Sequence, residues 1–128
     1  MPWAMTAHVV YSSLDKIFPA TNSTIIIENI IRKTIGFDGV LVSDDLSMQA
    51  LTGSMDERAR NALSAGCDIV LHCNGEMTEM ESVAKGVSSL TNKAAKRILR
   101  GNDMLTDREN WNSTNTLKRL NNILKLLN

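Results

Sequence analysis

The sequence predicts an α/β domain: a parallel sheet flanked by helices, with right-handed crossovers joining successive strands. Three observations predict it. Short apolar runs rich in β-branched residues recur, amphipathic stretches of three-and-four spacing separate them, and glycines stand where one pattern gives way to the other. The resulting order is strand, helix, strand, helix, strand, helix, followed by a helical tail.

Ala4 to Tyr11 is apolar with β-branched residues near its end, and polar Ser12, Ser13 and Asp15 follow, which reads as a buried strand entering a loop. Pro19-Ala20-Thr21-Asn22-Ser23 supplies breaker and capping residues, with Ser23 as the N-cap. Ile27, Ile30, Ile31 and Ile35 then mark one helix face. Gly36 stops that helix, and Val40-Leu41-Val42 forms the second strand, ending at Ser43-Asp44-Asp45. Asp56 and Glu57 favour a helix start, Ala59, Ala62, Leu63 and Ala65 give it a small-residue face, and Gly66 closes it. Cys67 to Cys73 reads as the third strand. Asn74-Gly75 turns the chain into a stripe of Met77, Met80, Val83, Ala84 and Val87, with the methionines expected in the core. Ala94 to Leu99 forms a further short helix, and Asn102 to Asn115 a flexible connection. Leu117, Leu120, Leu124 and Leu127 repeat at helical spacing, so the chain closes on an amphipathic helix expected to dock on its own domain.

Composition narrows the function. Of 128 residues, 14 are Lys or Arg and 14 are Asp or Glu, so formal charge is zero and no electrostatic footprint for nucleic acid exists. No apolar run approaches the roughly 18 residues of a membrane span, and Met1 to Lys16 lacks the pattern of a signal peptide, so a cytoplasmic protein is expected. Cys67 and Cys73 would be about 20 Å apart on an extended strand, beyond disulfide reach, and read as reduced core thiols. His8 and His72 do not stand at zinc-ligand spacing from them, so no metal site is expected.

The strongest local anomaly is Asp44-Asp45 at the carboxyl end of a buried strand, the end at which parallel sheets bind ligands. Alternation gives Asp44 the side of Val40 and Val42 and turns Asp45 the other way. The pair could instead cap the following turn, or serve magnesium and phosphoryl transfer, although no phosphate-binding glycine loop accompanies it. His8 near the end of the first strand could reach the same rim or be a structural histidine. His72 and Asn74 close the third strand, where either could bond a ligand hydroxyl, while Asn74-Gly75 is also an ordinary turn pair. Asp68 begins that strand, on the face where stability is the usual role. Arg58, Arg60, Lys93, Lys96, Arg97 and Arg100 read as solvated helix faces.

Taken together, Met5-Thr6-Ala7-His8-Val9, Pro19-Ala20-Thr21, Gly36-Phe37-Asp38-Gly39-Val40, Ser43-Asp44-Asp45-Leu46-Ser47-Met48, Glu57-Arg58-Ala59 and Ala65-Gly66-Cys67-Asp68 resemble glycoside hydrolase family 3, from about residue 4 to residue 85. The resemblance implies the C-terminal part of a (β/α)₈ barrel, its sixth to eighth strands, since a whole barrel takes about 250 residues. Residues 1–90 would be the partial barrel and residues 91–128 a helical tail.

The activity implied is that of a retaining β-N-acetylhexosaminidase removing terminal β-linked N-acetylglucosamine from peptidoglycan fragments, with no cofactor. Asp44 would be the nucleophile, and His8, Asp45, Met48 and Asn74 would bind the sugar. The family's proton donor, a His paired with an Asp on a loop after the fifth strand, matches nothing here, nor do its substrate-binding Lys-His pair and Arg residues. Activity would therefore need a complementing N-terminal polypeptide. Two other readings remain: a nonenzymatic remnant or interaction module using the Leu117 to Leu127 helix, and the magnesium-dependent phosphotransfer domain.

Overall fold

The computed structural model describes residues 1–104 and 113–125. Its core is a three-stranded parallel sheet in the order β1 (Trp3–Met5), β2 (Val40–Asp45), β3 (Ile69–Leu71). Trp3, Ala4 and Met5 pair with Val40, Leu41 and Val42, and on the other side Val42 pairs with Ile69 and Asp45 with Leu71. Three steps along β2 therefore face two along β3. The extra residue makes a bulge at Ser43, whose buried hydroxyl accepts the Leu71 N–H at 3.0 Å and donates to the Asp44 carbonyl at 2.8 Å. Bulges re-aim side chains, so strict alternation no longer fixes which way the two aspartates point.

Helices follow each strand. Ile25–Thr34 winds wider than an α-helix, with the Ile35 N–H reaching the Ile30 carbonyl at 2.8 Å. Ser23 caps it as expected, accepting the Ile26 N–H at 3.1 Å. Ile26 and Ile27 are buried, whereas Ile35, expected on the same face, is exposed because it sits past the last turn beside Gly36, whose φ is +73°. Helix α1 (Met55–Ala65) opens on a Ser54–Glu57 capping box and closes at Gly66, φ +119°. One cluster packs Ile27, Leu41, Ala62, Ala65 and Cys67 between sheet and helices, and a second packs Leu46, Leu51 and Ala59 with Val70 and Val83 beside them.

Helix α2 (Met77–Gly86) lies so close to α1 that a Cβ on Gly86 would overlap the Asp56 backbone. That contact runs through Val83 and Gly86. Met77 and Met80 consequently face outward and are exposed, not core as expected. Helix α3 (Asn92–Asp103) packs against β2, and α4 (Ser113–Lys125) follows. Every described residue of α4 is exposed, so the expected docking of that helix on its own domain is not seen; Leu127 lies outside the described residues. Asn102 and Asp103 complete α3, while residues 105–112 of the expected connection also lie outside them.

Strands β1 and β3 are shorter than the runs that announced them. Pairing of β1 ends with the Thr6 N–H on the Val42 carbonyl, level with the start of the bulge in the β2–β3 ladder. At β3, Cys67 still bonds the α1 carbonyl of Ala62, and Asp68 turns its carboxylate inward before the strand begins. No helix among the described residues is long and apolar enough to cross a membrane.

Candidate active site

The carboxyl ends of the three strands form one rim, and a knot of hydrogen bonds around Asp45 holds it. Asp45 Oδ1 accepts the Ser47 N–H at 3.0 Å and the Cys73 N–H at 3.1 Å, and Oδ2 accepts the Ser47 hydroxyl at 2.6 Å. The carboxylate so joins the end of β2, the turn after it and the segment leaving β3. The Ser47 hydroxyl bond above all keeps the Asp45 carboxyl below the usual carboxylate range; the Ser47 and Cys73 amides and the nearby His72 act in the same direction, against partial desolvation.

His8 fixes the same residue from the other side. Its Nε2 stands 3.0 Å from the Asp45 carbonyl oxygen, which only accepts, so Nε2 carries the proton. In the neutral ring Nδ1 then accepts from the Thr21 hydroxyl at 2.8 Å, and Thr21 Oγ1 accepts in turn from Thr6 at 2.9 Å. Both ring nitrogens of this buried side chain face inward partners. The Met48 N–H reaches the same carbonyl at 3.2 Å. His8, Asp45 and Met48 thus meet at one oxygen.

Asp44 differs from its neighbour. It is half-buried; its Oδ1 accepts the Asp45 N–H at 2.9 Å, and its Oδ2 takes part in no hydrogen bond among the described residues. One carboxylate oxygen is left available for chemistry. Asn74 is exposed at the start of α2: its Oδ1 accepts the Glu76 N–H at 2.9 Å and its Nδ2 donates to Glu79 at 2.5 Å, so the turn role foreseen for it is met. A depression of about 310 Å³ opens beside the rim between His8, Phe18, Leu51 and Asn61.

Two of the arginines expected on solvated helix faces, Arg58 and Arg97, are drawn into contacts instead, whereas Arg60 and Arg100 are exposed as expected. Arg58 is buried and donates to the carbonyls of Gly53 (3.0 Å), Leu46 (2.7 Å) and Met48 (3.1 Å), so it pins the loop that follows the two aspartates. At the opposite end of the sheet Asp68 is bonded by Arg32 and Arg97, each at 2.8 Å, and accepts the Leu41 N–H at 2.9 Å. Arg97 and Arg100 also grip Asp38 at the surface. The stability role read for Asp68 fits this clamp. Cys67 is a buried thiol that burial pushes up to about 12, whereas Cys73, expected in the core, is exposed where the chain leaves β3.

The donor set does not favour the magnesium reading. Both oxygens of Asp45 are engaged by Ser47 and Cys73, and no group of three or more His, Cys, Asp or Glu among the described residues is placed to hold a metal ion.

Comparison with known proteins bears on this rim. The sequence model described as the glycosyl hydrolase family 3 N terminal domain matches residues 2–100. A beta-hexosaminidase of Neisseria meningitidis serogroup C is 50% identical over 76 residues, 58% of this chain and 21% of the relative. One from Tolumonas auensis is 35% identical over 116 residues, 86% of this chain and 34% of the relative. Among solved structures, native NagZ of Neisseria gonorrhoeae superposes with a TM-score of 0.65 at 40% identity, covering 79% of this chain and 28% of that one. The beta-N-acetylhexosaminidase of Beutenbergia cavernae gives 0.66 at 34% identity, with coverages of 77% and 32%. The chain spans no more than about a third of the length of these relatives. With residues 2–100 of its 128 matched by that family model and its fold shared with solved members, this chain belongs to glycosyl hydrolase family 3, within the N-terminal domain of that family.

Proposed function

We propose that this chain is the part of a family 3 barrel that carries the nucleophile of a retaining β-N-acetylhexosaminidase, and that the nucleophile is Asp44. The observation that carries the reading is the contrast at the end of β2: Asp45 has both oxygens bound, whereas Asp44 keeps one uncommitted. A retaining mechanism needs such an oxygen. Asp44 forms a bond to the anomeric carbon as the glycosidic C–O bond breaks, and the departing oxygen takes a proton from a donor outside this chain. Water then attacks the same carbon, releases the sugar with retained configuration and restores the carboxylate. His8 and Asp45 hold the turn on which Asp44 stands, and Met48 and Asn74 lie at the rim where a sugar would rest.

Residues 1–90 supply three strand-helix units corresponding to strands six to eight of the barrel. Residues 91–128 would be the tail of that unit, and α3, its first helix, clasps the underside through Arg97 and Arg100. In support, among the described residues β1 and β3 each pair on one side only, leaving two open edges of the kind a closed barrel removes. A complementing N-terminal polypeptide would cover them and bring the proton donor. The substrate class is a peptidoglycan fragment ending in β-linked N-acetylglucosamine, handled in the cytoplasm during cell-wall recycling. A second reading, an inert interaction module, draws on the exposed Leu117, Leu120, Ile123 and Leu124 of α4.

The test is release of nitrophenol from nitrophenyl N-acetyl-β-glucosaminide by this chain mixed with a polypeptide supplying the first five strands. Release is expected in the mixture, with a fall of at least about 10³-fold in Asp44→Asn, since a single triad-type nucleophile commonly carries that much. Equal rates in the mutant would remove Asp44 from the role. A folded, inert mixture would favour the interaction module.

A further inference from the structure

Among the described residues three buried side-chain polar atoms lack a hydrogen-bond partner, and two of them are the ring nitrogens of His72. The ring follows β3 directly, its side chain only 6% exposed, and stands between two carboxylates: Nδ1 lies 4.0 Å from Asp45 Oδ1 and Nε2 lies 3.6 Å from Glu79 Oε2. Asp45 comes from β2 and Glu79 from the first turn of α2; the residues of β3 itself carry no charge. A neutral imidazole has one N–H and cannot donate to two acceptors, whereas an imidazolium has two, one for each carboxylate. Asp45 Oδ1 is also the oxygen that accepts the Ser47 and Cys73 amides, so a change at the ring is felt at the turn beside Asp44.

We propose that His72 is a positioning residue, an imidazolium strut that draws Asp45 and Glu79 together and so fixes the turn carrying Asp44. Its catalytic meaning rests on the reading of Asp44 as nucleophile; the strut itself does not.

The experiment follows the His72 ring nitrogens and the Ser47 and Cys73 amides of the ¹⁵N-labelled chain by NMR as pH is lowered from about 8 to about 5. Both ring nitrogens are expected to be protonated at the acid end, and the two amide signals to move with the same midpoint as the ring. Glu79→Gln, at a side chain 37% exposed, is expected to move that shared midpoint to lower pH and to shrink the amide shifts. His72→Asn is expected to abolish the amide transition; should it not fold, Glu79→Gln decides alone. A ring that stays neutral throughout, or amides that ignore it, overturns the proposal. In the reconstituted barrel, nitrophenol release without co-titration sinks the strut alone. Co-titration without release in any variant sinks the glycosidase reading and leaves the strut standing.

Discussion

The two ends of the sheet both hold aspartates, and they hold them in opposite ways. On the underside, Asp68 is gripped by Arg32 and Arg97 and by a strand amide, with its side chain 5% exposed. On the rim, Asp45 is bound by hydroxyl and amide groups, and Asp44 keeps one oxygen uncommitted. The underside is closed by charge pairing between segments far apart in sequence, whereas the rim is shaped by short-range turns and a bulge that leave a carboxylate presented. On the proposed function, stability and chemistry would be divided between the two ends, as in (β/α)₈ barrels generally.

The contrast breaks most sharply at the underside. Asp68→Ala leaves two guanidinium groups facing a buried site without their partner and is expected to destabilise the chain by about 3–5 kcal/mol. Asp44→Asn on the rim is expected to stay within about 0.5 kcal/mol of the parent. Urea unfolding of both variants measures the difference, and equal midpoints would erase the division. Arg58→Met comes next, because it unpins three carbonyls of the rim loop, at a cost of roughly 2–3 kcal/mol with faster hydrogen exchange expected for Met48 and Leu51.

Acid sharpens the comparison. The Ser47 hydroxyl above all holds Asp45 low, and the Arg100 and then Arg97 guanidinium groups do the same for Asp38 on the underside. A carboxylate with a lowered folded-state pKa contributes stability that is fully present above its unfolded value of about 3.9, and that stability is lost as pH falls through the folded value. The thermal midpoint is therefore expected to fall as pH drops below about 4. Asp45→Asn is expected to flatten the part of that fall contributed by the rim, while added salt, which screens exposed pairs, flattens the Asp38 part. The smallest effect is chemical: iodoacetamide at pH 8 is expected to alkylate exposed Cys73 and spare Cys67, whose thiol burial pushes up to about 12, with mass spectrometry reading the site. Equal labelling would mean that the core around Cys67 opens readily.

Local chemistry explains which features were legible beforehand. The capping box at Ser54, the cap at Ser23, the Gly66 stop and the apolar β2 run are decided within a few residues, and each is read from neighbours alone. Arg58 and Arg97 were misread because their partners lie elsewhere in the chain, and a cation on a helix looks solvated until a carbonyl cluster or a distant carboxylate is folded against it. Met77 and Met80 were misplaced for the related reason that a helix stripe announces an apolar face without saying which part of it finds a neighbour.

By itself the sequence determined the alternation of strands and helices, the end of the sheet at which the paired aspartates stand, and the family pattern around them, because these depend on side-chain periodicity and short motifs. Only the tertiary structure decided that Asp44 and Asp45 have different surroundings, that His8 and Met48 converge on one carbonyl, and that His72 lies between two carboxylates. The physical reason is the extra residue in β2: one bulge resets the direction of every side chain beyond it, and its position is set by pairing across strands.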